Sequence, residues 1–221
     1  MRKILLLEDR SQRQNDFLKT NNIQLNKYTV LDNKIDEKFI SFMLKIKENE
    51  FDLNIYDVII AHQSIFLNEN RDVLGKLQNY CKKHKKALVL FSGGNETSYN
   101  NEDYEKLDLS SEEFYSKNLI LFLEDFEKNN INIRILTFGN QWRLNIILSI
   151  LEEINIFINM NKKEKVLFNS FKQRNRTFFN NIDTLNLELY NYQIVGNKIY
   201  LSEIMKLRDS IVTIIKDLVD E

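Results

Sequence analysis

Proline is absent from this chain of 221 residues, cysteine occurs once and glycine five times. The single cysteine, Cys81, excludes an intrachain disulfide and a cysteine-based zinc site built from one chain. Lys, Asn and Ile are plentiful, so the missing proline reads as the codon bias of an AT-rich, bacterial genome more than as a physical demand. Where glycine is scarce, its positions carry more information. An excess of one charge is lacking too: the net charge is −1, which gives no overall drive toward nucleic acid or an acidic membrane. No apolar run approaches the length of a membrane span. The opening MRKILLLEDR has too short an apolar run for a signal peptide and turns acidic at once, so a cytoplasmic protein is expected.

Present instead are five short apolar runs, at Lys3–Leu7, Tyr28–Leu31, Val58–Ala61, Ala87–Phe91 and Ile133–Phe138. They are near-continuous, not alternating, which suits strands covered on both faces. Helix-period segments separate them: Gln12–Lys19, Asp36–Asn49, Asn70–Lys83, a stretch behind the Ser110/Glu113 capping box, and 141–158. Behind the capping box, Phe114, Tyr115, Leu119, Phe122, Leu123 and Phe126 form one stripe. Strand–helix alternation with short connections predicts an α/β fold, a doubly wound five-stranded parallel sheet in the order 2-1-3-4-5. This body spans 1–158. A helical extension, 159–221, follows: a helix from Asn161 to about Asp183, a hairpin over Tyr192–Leu201 turning at Gly196-Asn197, and a last helix capped by Ser202. The apolar face of that helix needs the body, a partner or a second copy to cover it. There is no repeat, low-complexity segment or flexible linker.

Ligands of an open parallel sheet bind outside the carboxyl ends of its strands. The expected ends supply Glu8 and Asp9, then His62, Gln63 and Ser64, then Ser92, Gly93, Gly94 and Asn95, and finally Gly139 and Asn140 ahead of the only tryptophan, Trp142. Glu8 and Asp9 are either a metal or charge site or a solvated, helix-capping loop. Gly93 and Gly94 supply positive φ for a tight turn, the weightier reading, or expose amides as an anion nest. Trp142 reads as a packing anchor, and His84 in CKKHKK as a solvated helix end. His62 divides evenly between a structural and a ligand or catalytic role. A carboxylate from Glu8 or Asp9 within reach would raise its basicity and fix its tautomer. No Walker or Rossmann phosphate fingerprint is present.

Three of these segments resemble the receiver domains of bacterial response regulators, over roughly residues 1–158. KILLLEDR resembles the first receiver strand, which ends in the acidic pair that holds Mg²⁺, here Glu8 and Asp9. YDVIIAHQS resembles the third, whose final Asp accepts the phosphoryl group, and His62 stands at that position. LVLFSGG resembles the fourth, whose terminal Thr or Ser contacts phosphoryl oxygens, and Ser92 matches it. The fifth receiver strand ends in Lys-Pro. FYSKN would supply Lys117, but its capped helical pattern argues against that alignment, and TFGNQW carries no lysine. The resemblance implies a flavodoxin-like fold and a degenerate, pseudo-receiver domain without the acceptor aspartate or the pairing lysine.

The leading expectation is a non-catalytic signal-transduction or protein-interaction module, with the C-terminal helices giving self-association as a dimer or binding a protein partner. The alternative is a small-molecule or nucleotide-binding protein or enzyme. It would use His62 with Glu8 and Asp9 as base or metal ligands and Ser92-Gly93-Gly94 as an anion cradle. Nucleic-acid binding through Lys162, Lys163, Lys165, Lys172, Arg174 and Arg176 carries less weight, since a charge run is usually a solvated face.

Overall fold

The computed structural model describes residues 3–50, 53–67, 70–101, 103–129, 131–159, 194–195, 198–199 and 201–220. It divides into two units, Met1–Asn140 and Gln141–Glu221. In the first, the chain runs β1 (Lys3–Glu8), α1 (Ser11–Thr20), β2 (Leu31–Ile35), α2 (Glu37–Lys47), β3 (Tyr56–His62), α3 (Arg71–His84), β4 (Ala87–Ser92), β5 (Ser98–Asn100), β6 (Lys106–Ser110), α4 (Ser111–Phe114), α5 (Lys117–Glu127) and α6 (Ile135–Phe138). The second holds α7 (Trp142–Asn159), β7 (Ile194–Val195), β8 (Lys198–Ile199) and α8 (Leu201–Asp220).

Three of the apolar runs form the parallel centre of the sheet, β1, β3 and β4. Ile4–Leu7, Val58–Ala61 and Leu88–Phe91 are buried at every position, so both faces are covered. On one face Leu5, Leu7, Ile59, Ala61, Leu88 and Leu90 share a core with Met43 and Ile46 of α2 and Val73, Leu77 and Cys81 of α3. On the other, Phe91 stacks on Phe114 at 4.2 Å, and Tyr115 stacks on Phe17 of α1 at 5.4 Å. The stripe expected behind the capping box is buried throughout, split between α4 and α5, and the Ser110/Glu113 box itself forms.

The sheet has six strands in the order β2-β1-β3-β4-β6-β5, mostly parallel, with β5 antiparallel at the edge. Two strand assignments are therefore corrected. Ile133–Phe138 is no strand: it enters the helical turn α6, and Ile133, Ile135 and Leu136 bury there. The place beside β4 is taken by β6, whose Leu107 and Leu109 are buried while Lys106, Asp108 and Ser110 stay partly exposed. Its period-two alternation escapes a search for continuous apolar runs. The second strand begins at Leu31, not Tyr28, because Tyr28 ends a 3-10 turn over Leu25–Lys27. β2 is an edge strand of half-buried residues, with Lys34 paired to Asp32 at 2.9 Å.

Gly139 closes α6 at φ +53°, and a Cβ there would lie 2.6 Å from Asn118 Oδ1. Asn118 cannot easily yield, since its amide donates to the carbonyls of Leu136 at 3.2 Å and Thr137 at 3.3 Å. This turn demands glycine for backbone conformation and for space.

In the second unit α7 packs on α8, and β7 pairs antiparallel with β8 as the hairpin reading expects. Helix α8 starts at Leu201, so Ser202 lies within its first turn instead of capping it. The helix expected over 161–183, with its Lys and Arg cluster, and the Gly196-Asn197 turn lie outside the described residues. Among the described residues no helix is long and apolar enough to cross a membrane.

Candidate functional site

Glu8 is the last residue of β1 and is fully buried, in spite of its charge. A buried carboxylate needs donors on both oxygens, and the chain supplies them. Arg13, one turn into α1, reaches back with Nη2 to Glu8 Oε1 and to Asp9 Oδ1. The i,i+4 spacing from Asp9 places it on that side of the helix. The Arg10 amide also donates to Glu8 Oε1, at 3.2 Å. From the far side of the fold, the Tyr115 hydroxyl donates to Glu8 Oε2 at 2.8 Å. Gln14 supports it, donating to the Tyr115 oxygen at 3.2 Å and pairing with Asn33 of β2. Burial still pushes the Glu8 carboxyl up, more than Arg13 and Tyr115 pull it down.

Asp9 takes its second hydrogen bond from Ser64 Oγ, at 2.7 Å. Its own burial pushes upward, but the Ser64 bond, the Glu8 contact and the Arg13 charge hold it below the usual carboxylate range. Ser64 lies in the 3-10 turn Gln63–Phe66 that His62 caps at the end of β3. The Ser64 amide donates to His62 Nδ1 at 3.2 Å, which leaves Nδ1 bare and the proton of the neutral ring on Nε2. Ser64 Oγ lies 2.6 Å from the same nitrogen, so its one proton faces two acceptors, Nδ1 and Asp9.

His62 is 4% exposed and lies edge-on to Phe91 at 5.1 Å. Burial, then the charges of Arg13 and Arg10, push its pKa down to about 4 against the pull of Asp9, whose Oδ1 is 3.7 Å from Nδ1. This reverses the expected rise in basicity: the carboxylate is there and pulls upward, but burial of the ring, joined by the charge of Arg13, outweighs it. Nor do Ser64, His62 and Asp9 form a nucleophile relay. In such a relay the histidine bridges hydroxyl and carboxylate. Here the hydroxyl bonds the carboxylate directly.

The β4 end makes its own set. Ser92 Oγ donates to Asn95 Oδ1 at 2.8 Å. Gly93 and Gly94 are exposed, neither has positive φ, and a Cβ on either would meet nothing within 4 Å. The positive-φ explanation for this glycine pair is thus corrected. Asn95 Nδ2 is buried without a hydrogen-bond partner. Gly139 and Asn140 follow a helical turn, not a strand, so they are not the carboxyl end of a strand. Gln63 is half-buried at the start of its turn, and His84 stacks on Tyr80 at 4.2 Å at the end of α3.

The structure thus joins Glu8, Asp9, His62 and Ser64 in one bonded group, and separately bonds Ser92 to Asn95 across the Gly93-Gly94 loop. Among the described residues, Glu8, Asp9 and His62 each offer one atom capable of holding a metal, all within 4.8 Å of one another. Sequence reasoning missed Arg13, Gln14, Asn33 and Tyr115. Arg13 was findable from its spacing to Asp9. Tyr115, in an apolar stripe, gave no sign that its hydroxyl crosses to β1.

Fold and site together define an α/β protein with a self-bonded charged group at the carboxyl edge of a mostly parallel sheet. Comparison with protein-family models, with curated proteins and with solved structures finds no match to this chain.

Proposed function

We propose that this chain is a non-catalytic, receiver-like signalling or protein-interaction module, whose rim keeps the receiver frame without phosphoryl chemistry. One observation carries the reading. At the end of β3, where a receiver presents its acceptor aspartate, His62 is neutral and its Nδ1 is bonded into the Ser64 turn. Phosphoryl transfer needs an available nucleophile and neutralisation of the phosphate charge. Arg13, whose charge reaches His62, is bonded to Glu8 and Asp9 instead. The parallel order β2-β1-β3-β4-β6 supports the flavodoxin-like frame. The output would be contact with a protein partner or a second copy through the C-terminal helices. Incubation of the whole chain with acetyl phosphate and Mg²⁺ should leave its mass unchanged. A phosphoryl adduct that disappears in His62→Ala would overturn the reading.

A second reading rests on Asn95. Its buried, unpartnered Nδ2 beside the open Gly93-Gly94 loop suits an acceptor group of a small ligand, such as a nucleotide phosphate. A thermal-shift panel of nucleotides tests it. A saturable shift that is lost in Asn95→Ala would favour this alternative, and no shift with any of them would remove it.

A further inference from the structure

The receiver resemblance implies a Mg²⁺ ion on the acidic pair, and the bonding of that pair argues against the fit. All four carboxylate oxygens are already served. Glu8 Oε1 accepts from Arg13 and from the Arg10 amide, and Oε2 from Tyr115. Asp9 Oδ1 accepts from Arg13, and Oδ2 from Ser64. The third donor is a neutral imidazole, whose Nδ1 accepts from the Ser64 amide. Mg²⁺ prefers an octahedron of hard oxygen ligands and gives up water reluctantly. Here it would meet two carboxylates, a nitrogen and a guanidinium of its own sign.

We infer that Arg13 replaces the divalent ion as a covalently tethered counter-ion, so that this rim is metal-independent and a metal site exists in it only in latent form. The physics of the exchange is simple. Two carboxylates at the end of β1 repel each other and need a cation between them. A receiver would draw that cation from solution, and its occupancy would follow the ion's concentration. A guanidinium one helical turn from Asp9 is present at fixed, high effective concentration. It bridges both carboxylates through one nitrogen and is only 21% exposed. The consequence is a rim whose state does not follow Mg²⁺, unlike the switch it resembles. The inference takes from the proposed function only the identity of the ion replaced.

The test compares the full chain with Arg13→Gln, which keeps a polar side chain and removes the charge. Mn²⁺ binding is read by depletion of the free-ion electron paramagnetic signal, and Mg²⁺ and Mn²⁺ effects on melting are read at matched ionic strength. The wild-type chain should neither deplete Mn²⁺ nor shift. Arg13→Gln should gain Mn²⁺ affinity by about an order of magnitude or more, because a competing charge is gone, and Glu8→Gln added to it should abolish the gain. Saturable binding of either ion by the wild type overturns the inference, as does a folded Arg13→Gln that binds no better. If Arg13→Gln does not fold, Arg13→Lys keeps a cation and should remain metal-blind. Metal binding by the wild type without a phosphoryl adduct removes this inference and spares the functional reading. An adduct formed without metal does the opposite.

Discussion

Two places in the first unit bring a glutamate, a tyrosine and an arginine together, the first around a fully buried glutamate and the second around a half-buried one. At the carboxyl edge, Tyr115 donates to Glu8 at 2.8 Å and Arg13 bonds the same carboxylate. Beside the antiparallel edge strand, Tyr99 of β5 donates to Glu105 at 3.1 Å, and the Arg134 guanidinium lies 4.0 Å over the Tyr99 ring. In both, burial raises the glutamate's pKa against the arginine's charge. The second trio pins β5 and the entry to α6, and it needs no further explanation. A Glu–Tyr–Arg trio is therefore within the structural vocabulary of this fold. What sets the first apart is what gathers around it: Asp9, Ser64 and His62, on two neighbouring strand ends.

The largest difference should come from the arginines. Arg13→Ala leaves two adjacent carboxylates, one fully buried, without a counter-ion. Breaking a buried ion pair on one side costs about 3–5 kcal/mol. Arg134→Ala removes a cation–π contact, worth about 2 kcal/mol when desolvated, and the charge that faces Glu105, a single half-buried carboxylate that keeps its bond from Tyr99. Denaturant unfolding of the two variants should rank them in that order. Equal losses would mean that Asp9 adds nothing and that the two trios are alike.

The histidine gives the next effect, and only the first group has one. Unfolded, His62 takes a proton near pH 6.5, and folded only near about 4. A base with a depressed folded pKa contributes stability that is complete above the unfolded value. That stability is lost as pH falls from about 6.5 toward 4, by about 3 kcal/mol in all. The raised Glu8 and Glu105 act with the opposite sign as pH falls, so the wild-type curve alone does not isolate the histidine. Subtracting the curve of His62→Asn does. The difference should grow as pH rises from 4 to 6.5 and be flat above. A flat difference throughout would mean that the ring titrates normally and is less enclosed than it stands here.

Part of the first group is legible in the sequence, and nothing of the second. The three central strands are apolar because both faces are covered, and continuous runs declare that directly. Glu8, Asp9, His62 and Ser64 sit at their ends, so the edge that gathers them was readable from strand positions alone. β6 was not, because KLDLS alternates and lies against an edge strand, where half its residues need no burial. The strand expected at Ile133–Phe138 is α6 instead, so the reason for placing Gly139 and Asn140 at a strand end falls away. Arg13 and Arg134 illustrate the other limit. Each is an ordinary cation in the sequence: Arg134 meets a partner tens of residues away, and Arg13 meets Glu8 and Asp9, five and four residues back, only because the chain turns there from β1 into α1. The sign of the His62 shift differs from expectation because the carboxylate is visible in the sequence, while the depth at which the ring is buried, the larger cause, and the nearby arginine charge are not.

The smallest expected difference separates the two tyrosines. Tyr115 is fully buried and its oxygen both donates to Glu8 and accepts from Gln14. Tyr115→Phe keeps the ring stacks on Phe17 and Phe91's neighbourhood while removing that oxygen, leaving Glu8 Oε2 and one Gln14 proton unmet. A bond to a charged acceptor contributes about 1.5–3 kcal/mol, so a loss of about 2 kcal/mol is expected. Tyr99 is only partly buried, and its 3.1 Å bond is longer. Tyr99→Phe also keeps the face on which Arg134 rests, so about 1 kcal/mol is expected. The pair also distinguishes a role that mere packing would not. Tyr115 pulls the Glu8 carboxyl down, so its removal should raise that group further and shift the uptake of one proton on folding to higher pH. Potentiometric titration of folded against unfolded Tyr115→Phe reads this directly. If the proton uptake matches wild type, the hydroxyl is packing in the β1 edge and takes no part in setting its charge.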